Sequence, residues 1–306
     1  NIDTFNIGFD FSEYDESDDS KKISKIFKTN HNHHICTKND ALKMIDNIND
    51  AFSEPFADSS QIPTMLVSQI ASKKVKVVLG GDGGDEIFGG YNRYLLAYKY
   101  WKIFKLFPKP FNKIFSIHKY IPNKILFILF DKIFKLGSFS NNKLSSYNKI
   151  LQKLDNIYNK ESFYENLIIE WSNNDILNDN ISSSLFDYSE YADNNLCFEE
   201  WMMSVDYHTY LTDDILCKVD RSSMFYSLEA RSPFLNRQLI EYMYNLPLNY
   251  KINNNITKWS SKKILEKYLP KNLIYKSKQG FGVPLAEWFR NDLKEYVLDN
   301  LSESSC

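Results

Sequence analysis

The chain has 306 residues, with 37 Lys and Arg against 39 Asp and Glu, so its formal net charge is −2. Neutralising phosphates takes a standing excess of basic side chains, so this balance argues against a dedicated nucleic-acid binder. An apolar fraction of 43% with 15% aromatics can bury a large core and excludes a disordered chain. Cys36, Cys197, Cys217 and Cys306 lack the spacing of a metal site or a disulfide framework and read as reduced thiols of a cytoplasmic protein. No run approaches the roughly 20 apolar residues of a membrane span, no signal peptide is recognisable, and no membrane partner is expected. Beginning on Asn1 and running at once into a strand-like segment, the sequence is expected to be an excerpt.

Taken in chain order, residues 5–9 read as a strand, 18–28 as a helix, 35–37 as a second strand, and 39–48 and 64–72 as two further helices. Residues 75–79, Val-Lys-Val-Val-Leu, form a β-branched strand that ends in glycines. Strands alternating with helices predict an α/β fold, a parallel sheet with flanking helices. Residues 96–200 lack such strand signals and read as a large helical insertion, and residues 201–306 as a helical part punctuated by Pro233, Pro247, Pro270 and Pro284. Within the insertion, residues 99–135 interleave nine lysines and one acid, Asp131, with Trp101 and seven phenylalanines. Such a basic amphipathic stretch suits an anionic membrane surface or a partner. Pro108, Pro110 and Pro122 break it, however, and helices with aromatics inward and lysines in water account for it.

Six of the ten glycines fall in residues 80–90, Gly-Gly-Asp-Gly-Gly-Asp-Glu-Ile-Phe-Gly-Gly. A strand entering a glycine turn that opens a helix presents backbone N–H groups to anions. The segment is neither a P-loop nor Gly-x-Gly-x-x-Gly; it carries Asp82, Asp85 and Glu86 instead. Carboxylates beside phosphates repel them unless a hard cation lies between, so the pattern points to Mg²⁺ bridging to a nucleotide polyphosphate. A tight Gly/Asp turn or a Ca²⁺ loop are the other readings, and a Ca²⁺ loop needs more regularly spaced acids. Residues 31–36, His-Asn-His-His-Ile-Cys, look like a metal cluster. Side chains alternate across a strand, so at most His31 with His33, or His34 with Cys36, converge, and a helix-to-strand connector is the expectation. Near the end, residues 276–284 flank Phe281 with Gly280 and Gly282 just after Lys278, a loop that lets backbone approach a ligand while a cation projects into it. An ordinary surface turn fits the same residues.

Together these segments resemble the synthetase domain of the glutamine-dependent asparagine synthetases. The stretches that carry the resemblance are residues 5–9, 54–64, 81–91, 210–221, 228–235 and 278–284, in family order along nearly the whole chain. The resemblance implies an adenine-nucleotide α-hydrolase-like fold, with residues 1–95 as the α/β nucleotide-binding part, 96–200 as a variable helical insertion and 201–306 completing the active site. It implies a ligase that uses ATP and Mg²⁺ to form β-aspartyl-AMP and pyrophosphate, after which ammonia, released from glutamine by a glutaminase domain in cis, displaces AMP to give asparagine. On this mapping Ile7, Gly80 and Gly81 lie by the adenylate, Asp85 is a Mg²⁺ ligand, Asp82 faces pyrophosphate, Glu86 lies near the amino-acid substrate, and Lys278 stabilises charge at the reacting phosphate. A homodimer is one assembly the resemblance allows. A relative that amidates a sugar acid in surface-polysaccharide synthesis, and a non-catalytic nucleotide-binding relative, are the alternatives. A ring-closing β-lactam synthetase would carry Tyr where Asp82 stands. The family's Ser-Gly-Gly-x-Asp-Ser pyrophosphate loop has no counterpart here and is expected just before residue 1. The glutaminase domain is absent too, so the 306 residues alone are expected to be inactive. Gly80 occupies a position where the family usually has Ser.

Overall fold

A computed structural model describes residues 2–11, 15–104, 159–168, 188–191, 193, 195–276, 282–291 and 293–302. The chain divides into two compact units, one made of Asn1–Gly90 with Asp206–Cys306, the other of Tyr91–Val205.

In the first unit, β1 (Asp3–Phe9) leads through α1 (Ser17–Phe27) to β2 (Asn30–Cys36), which pairs with β1 in parallel, Asp3 opposite Asn30 and Phe9 opposite Cys36. Lys28 closes α1 in the left-handed region, its N–H returning to the Ser24 carbonyl, a common way to satisfy the last carbonyls of a helix. Thr37 starts α2 (Lys38–Ala51) with a capping box: its hydroxyl accepts from Asp40 N–H at 3.2 Å, and the Asp40 carboxylate accepts from Thr37 N–H at 3.0 Å. Such a cap contributes about 1 kcal/mol. α3 (Gln61–Ser72) follows, then β3 (Val77–Leu79). Ile7 and Phe9 of β1, Ala41 and Met44 of α2, and Ile62, Met65 and Leu66 of α3 form the core, joined by Val283, Trp288 and Leu293. Burial of each large apolar side chain contributes about 1.5–3 kcal/mol, so this cluster ties both ends of the unit's sequence together.

The second half of this unit runs through a π-helical turn (Tyr210–Leu216), α8 (Cys217–Phe225), β4 (Glu229–Arg231), a 3₁₀ turn (Pro233–Leu235) and α9 (Arg237–Asn245). α10 (Trp259–Leu265), α11 (Lys271–Ile274), α12 (Leu285–Arg290) and α13 (Lys294–Asn300) complete it. β4 pairs in parallel with β3, Val77 opposite Glu229 and Leu79 opposite Arg231. Among the described residues the strands thus form two parallel pairs, β1 with β2 and β3 with β4.

The other unit contains α5 (Asn92–Phe104), α6 (Lys160–Ile168) and most of α7 (Phe198–His208). Its centre is aromatic: Trp201, 1% exposed, lies 5.8 Å from Tyr164, 5.7 Å from Tyr188 and 6.0 Å from Phe198 between ring centroids. The Arg93 guanidinium stands 4.0 Å over the Tyr91 ring and donates to the Tyr164 hydroxyl at 3.1 Å. Trp101 packs on Phe163 and Phe198, while the lysine- and phenylalanine-rich stretch beyond residue 104 lies outside the described residues.

Several elements differ from the sequence reading. Residues 30–34 are strand, not connector, because their polar side chains find cross-strand partners: His31 Nδ1 lies 3.1 Å from Thr4 Oγ1 and His33 Nδ1 2.9 Å from Asn6 Oδ1. Helix α3 begins at Gln61 rather than residue 64, since Pro63 sits in the first turn, where a missing N–H costs nothing. Strand β3 is shorter than the run 75–79, and β4 appears where only helices were expected.

Candidate active site

The glycine turn sits at the C-terminal end of β3, fastened by Gly80 N–H donating to the Arg231 carbonyl at 2.9 Å. Gly83 adopts φ +82°, and a Cβ there would lie 2.3 Å from Leu235 Cδ2, so the turn closes on the following 3₁₀ segment only because residue 83 is glycine. The helix it opens, α4 (Gly84–Phe88), is a single turn ended by Gly89 at φ +66°. Its macrodipole is correspondingly small, so what the turn offers an anion is backbone N–H groups and open space. Ile87 and Phe88 anchor it in a buried cluster with Met243, packed against Phe234, Leu235 and Ile240. Gly81 has nothing within 4 Å of where a Cβ would stand, leaving its backbone approachable.

Three carboxylates leave this turn in different settings. Asp85 pairs with Lys258 at 3.0 Å, its side chain 23% exposed. Gly90 makes the room, since a Cβ there would lie 1.9 Å from Asp85 Oδ1 and 2.3 Å from Lys258 Cε. Asp82 accepts from the Ser232 hydroxyl at 3.4 Å. Burial pushes the Asp82 carboxyl above its ordinary range, opposed by that hydrogen bond and by the charge of Lys218. Glu86 is 2% exposed.

Behind the turn, the buried ammonium of Lys218 pairs with Asp58 and, at 3.4 Å, with Asp214. Burial raises the Asp58 carboxyl, but Lys218 and the N–H and hydroxyl of Ser60 outweigh it and hold Asp58 low. Asp214 is pushed up to about 6 by burial and by the neighbouring Asp58. A cavity of about 340 Å³ adjoins Ser232, with Asp220, Ser223, Met224 and Glu229 in its wall.

The structure thus gathers Gly80, Gly81, Asp82, Asp85 and Glu86 into one turn, while Ile7, 5% exposed, belongs to the core around β1. Lys278 lies outside the described residues. Its neighbour Lys276, half exposed, forms an ion pair with Asp19 at the start of α1. His31 and His33 do share a face, rings stacked at 6.3 Å, but among the described residues no three His, Cys, Asp or Glu side chains converge as a metal site. Mg²⁺ does not need such a cage, because it is commonly held by one or two carboxylates together with substrate phosphates. Asp85 is a partly exposed carboxylate of this kind, and to hold Mg²⁺ it would exchange the Lys258 ammonium for the metal. Sequence reasoning missed Asp58, Asp214, Lys218 and Ser232 as site residues, although each falls inside a stretch that carried the resemblance. Lys258 falls in none.

The parallel pair β3 and β4 thus leads into a glycine turn set with three carboxylates. The asparagine synthase family model matches residues 1–305, and the chain belongs to that family. It is 28% identical over 301 residues to asparagine synthetase (glutamine-hydrolysing) 1 of Bacillus subtilis, covering 98% of this chain and 45% of that protein. A Mycobacterium bovis protein provisionally named asparagine synthetase (glutamine-hydrolysing) is 27% identical over 307 residues, 98% of this chain and 44% of its own. A similarly named Methanocaldococcus jannaschii protein reaches 46% identity over 96 residues, 31% of this chain and 18% of its own. The chain therefore spans less than half the length of these relatives.

Proposed function

We propose that this chain is the synthetase portion of a glutamine-dependent asparagine synthetase with an adenine-nucleotide α-hydrolase-like fold. ATP and aspartate are its substrates; the aspartate β-carboxylate attacks the α-phosphorus, pyrophosphate leaves, and ammonia then displaces AMP from the acyl carbon. Residues 1–95 bind the nucleotide, 96–200 form an insertion, and 201–306 complete the site; a glutaminase domain in cis supplies ammonia, in the cytoplasm. The observation that carries the reading is the open backbone at Gly81 in the turn that bears Asp82 and Asp85, in a chain of the asparagine synthase family.

In this reading Gly80, Gly81 and Ile7 adjoin the adenylate, and Asp85 would hold Mg²⁺, which would supply positive charge against the polyphosphate. Asp82 faces the pyrophosphate, Glu86 orients the amino-acid substrate, and the Lys278 ammonium stabilises charge that builds up at the phosphoryl oxygens. The test is ATP–pyrophosphate exchange by the full-length protein, with aspartate or a sugar acid as acceptor. Aspartate-dependent exchange supports the proposal, exchange only with the sugar acid transfers it to a polysaccharide amidotransferase, and none with either makes the domain a non-catalytic binder. The isolated 306 residues are expected to release little pyrophosphate.

A further inference from the structure

We propose that Lys218 is a positioning residue for this site: held between Asp58 and Asp214, it pins the chain segment leading into the glycine turn to the segment carrying Ser232, and thereby fixes Asp82. The proposal rests on the reading above for what the site does, but its geometry is independent of it.

Lys218 is 8% exposed, and an ammonium so buried persists only if paired. It is paired from two directions. Asp58, 160 residues away in sequence, comes from the loop that starts α3 and is itself fixed by Ser60 N–H and hydroxyl, each at 2.8 Å. Asp214, four residues before Lys218, is delivered by the π-helical turn Tyr210–Leu216, a geometry that recurs at functional sites. With both carboxylates engaged, the ammonium is a structural tie and not a ligand in waiting.

What it ties follows from the chain path. α3 runs on to β3 and the glycine turn with Asp82, and α8, which carries Lys218, runs on to β4 and Ser232. Those two paths meet again in the ladder Val77–Leu79 against Glu229–Arg231, which Glu229 N–H to the Lys76 carbonyl and Gly80 N–H to the Arg231 carbonyl extend, and where Phe234 and Leu235 pack on Ile87 and Phe88. Ser232 approaches Asp82 at 3.4 Å at that end of the two paths, and α8 lying against α3, with Lys218 as the buried polar pin, sets their other end. Its charge also reaches Asp82, where it opposes the effect of burial. Asp58 and Asp214 face Lys218, while Ser232 and Lys218 act on Asp82.

Three variants of the full-length protein test this: Lys218→Met, Lys218→Arg, and the double variant Asp58→Asn with Lys218→Met, which removes the Asp58 charge together with the ammonium. Displacing a reacting group by about 1 Å can cost about 10²-fold. Lys218→Met should therefore lower kcat of aspartate-dependent exchange about 10²-fold with little change in KM for ATP, and move the acid limb of the pH–rate profile upward. Lys218→Arg should recover most of the rate by keeping a cation in place. If Lys218→Met does not fold, the double variant decides: wild-type kcat and pH profile in a folded double variant overturn the proposal, and a lost rate at a wild-type melting temperature supports it. Should the wild type show no exchange with any acceptor, the functional reading falls, and ¹³C NMR titration of Asp82 in wild type and the double variant still decides the pin. An upward shift supports it, and an unchanged titration overturns it.

Discussion

Gly83 and Gly81 are two residues apart in the same turn, and the structure predicts opposite outcomes for the same substitution. Gly83 sits at φ +82°, where a Cβ would also stand 2.3 Å from Leu235 Cδ2. Placing alanine in the left-handed region costs about 1–2 kcal/mol. The contact falls more than about 1 Å short of ordinary carbon–carbon separation, and Leu235 is packed against the buried Ile87, Phe88 and Met243, so it yields only by overpacking, another 1–3 kcal/mol or so. Gly83→Ala should therefore lose about 2–5 kcal/mol, read as a lower midpoint in urea unfolding at unchanged slope. At Gly81 the space is open and φ is not positive. Gly81→Ala should be neutral, or stabilising by about 0.4–1 kcal/mol through the unfolded chain, while weakening ATP binding by closing the approach to the backbone. Equal midpoints for the two variants would refute the account of this turn.

Asp85→Asn in the full-length protein keeps the shape but loses the charge that attracts a hard cation; activity at limiting Mg²⁺ should fall sharply and recover in part with excess Mg²⁺, and a variant indistinguishable from wild type at limiting Mg²⁺ removes Asp85 as a ligand. Lys278→Ala should lower kcat about 10²–10³-fold, as loss of one charge-stabilising donor does, far more than it raises KM for ATP. Because Lys276 pairs with Asp19 at the surface, Lys276→Ala should cost only about 0.2–1 kcal/mol of stability and little rate, and like kinetics for the two variants would make the loop an ordinary turn. Asp214 has its folded value at about 6 against an ordinary 3.8, so between those values the folded state binds more protons and its contribution to stability falls as pH rises. Relative to wild type, Asp214→Asn should gain stability steadily from about pH 4 to about pH 6; parallel unfolding midpoints across that window would show the carboxyl to be unperturbed.

Much of this chain was legible before folding. The strand at 5–9, the helices of the first hundred residues and the glycine turn announce themselves by period and by residue type, because a core-facing pattern and a left-handed glycine are local requirements. The six short stretches that carried the resemblance led to the family that the comparison then established over residues 1–305. What stayed hidden depends on partners distant in sequence. The histidine-rich strand β2 has no apolar alternation, and its polar side chains make sense only opposite Thr4 and Asn6 of β1. β4 is three residues long and exists because β3 lies beside it. Nothing in the sequence marks Lys218 and Lys258 for the ion pairs they make with Asp58 and Asp85, which are brought to them across 160 and 173 residues of sequence. Charge type is written in the sequence, but the energy of a charge depends on burial and on which opposite charge stands within a few ångströms, and both are properties of the folded chain.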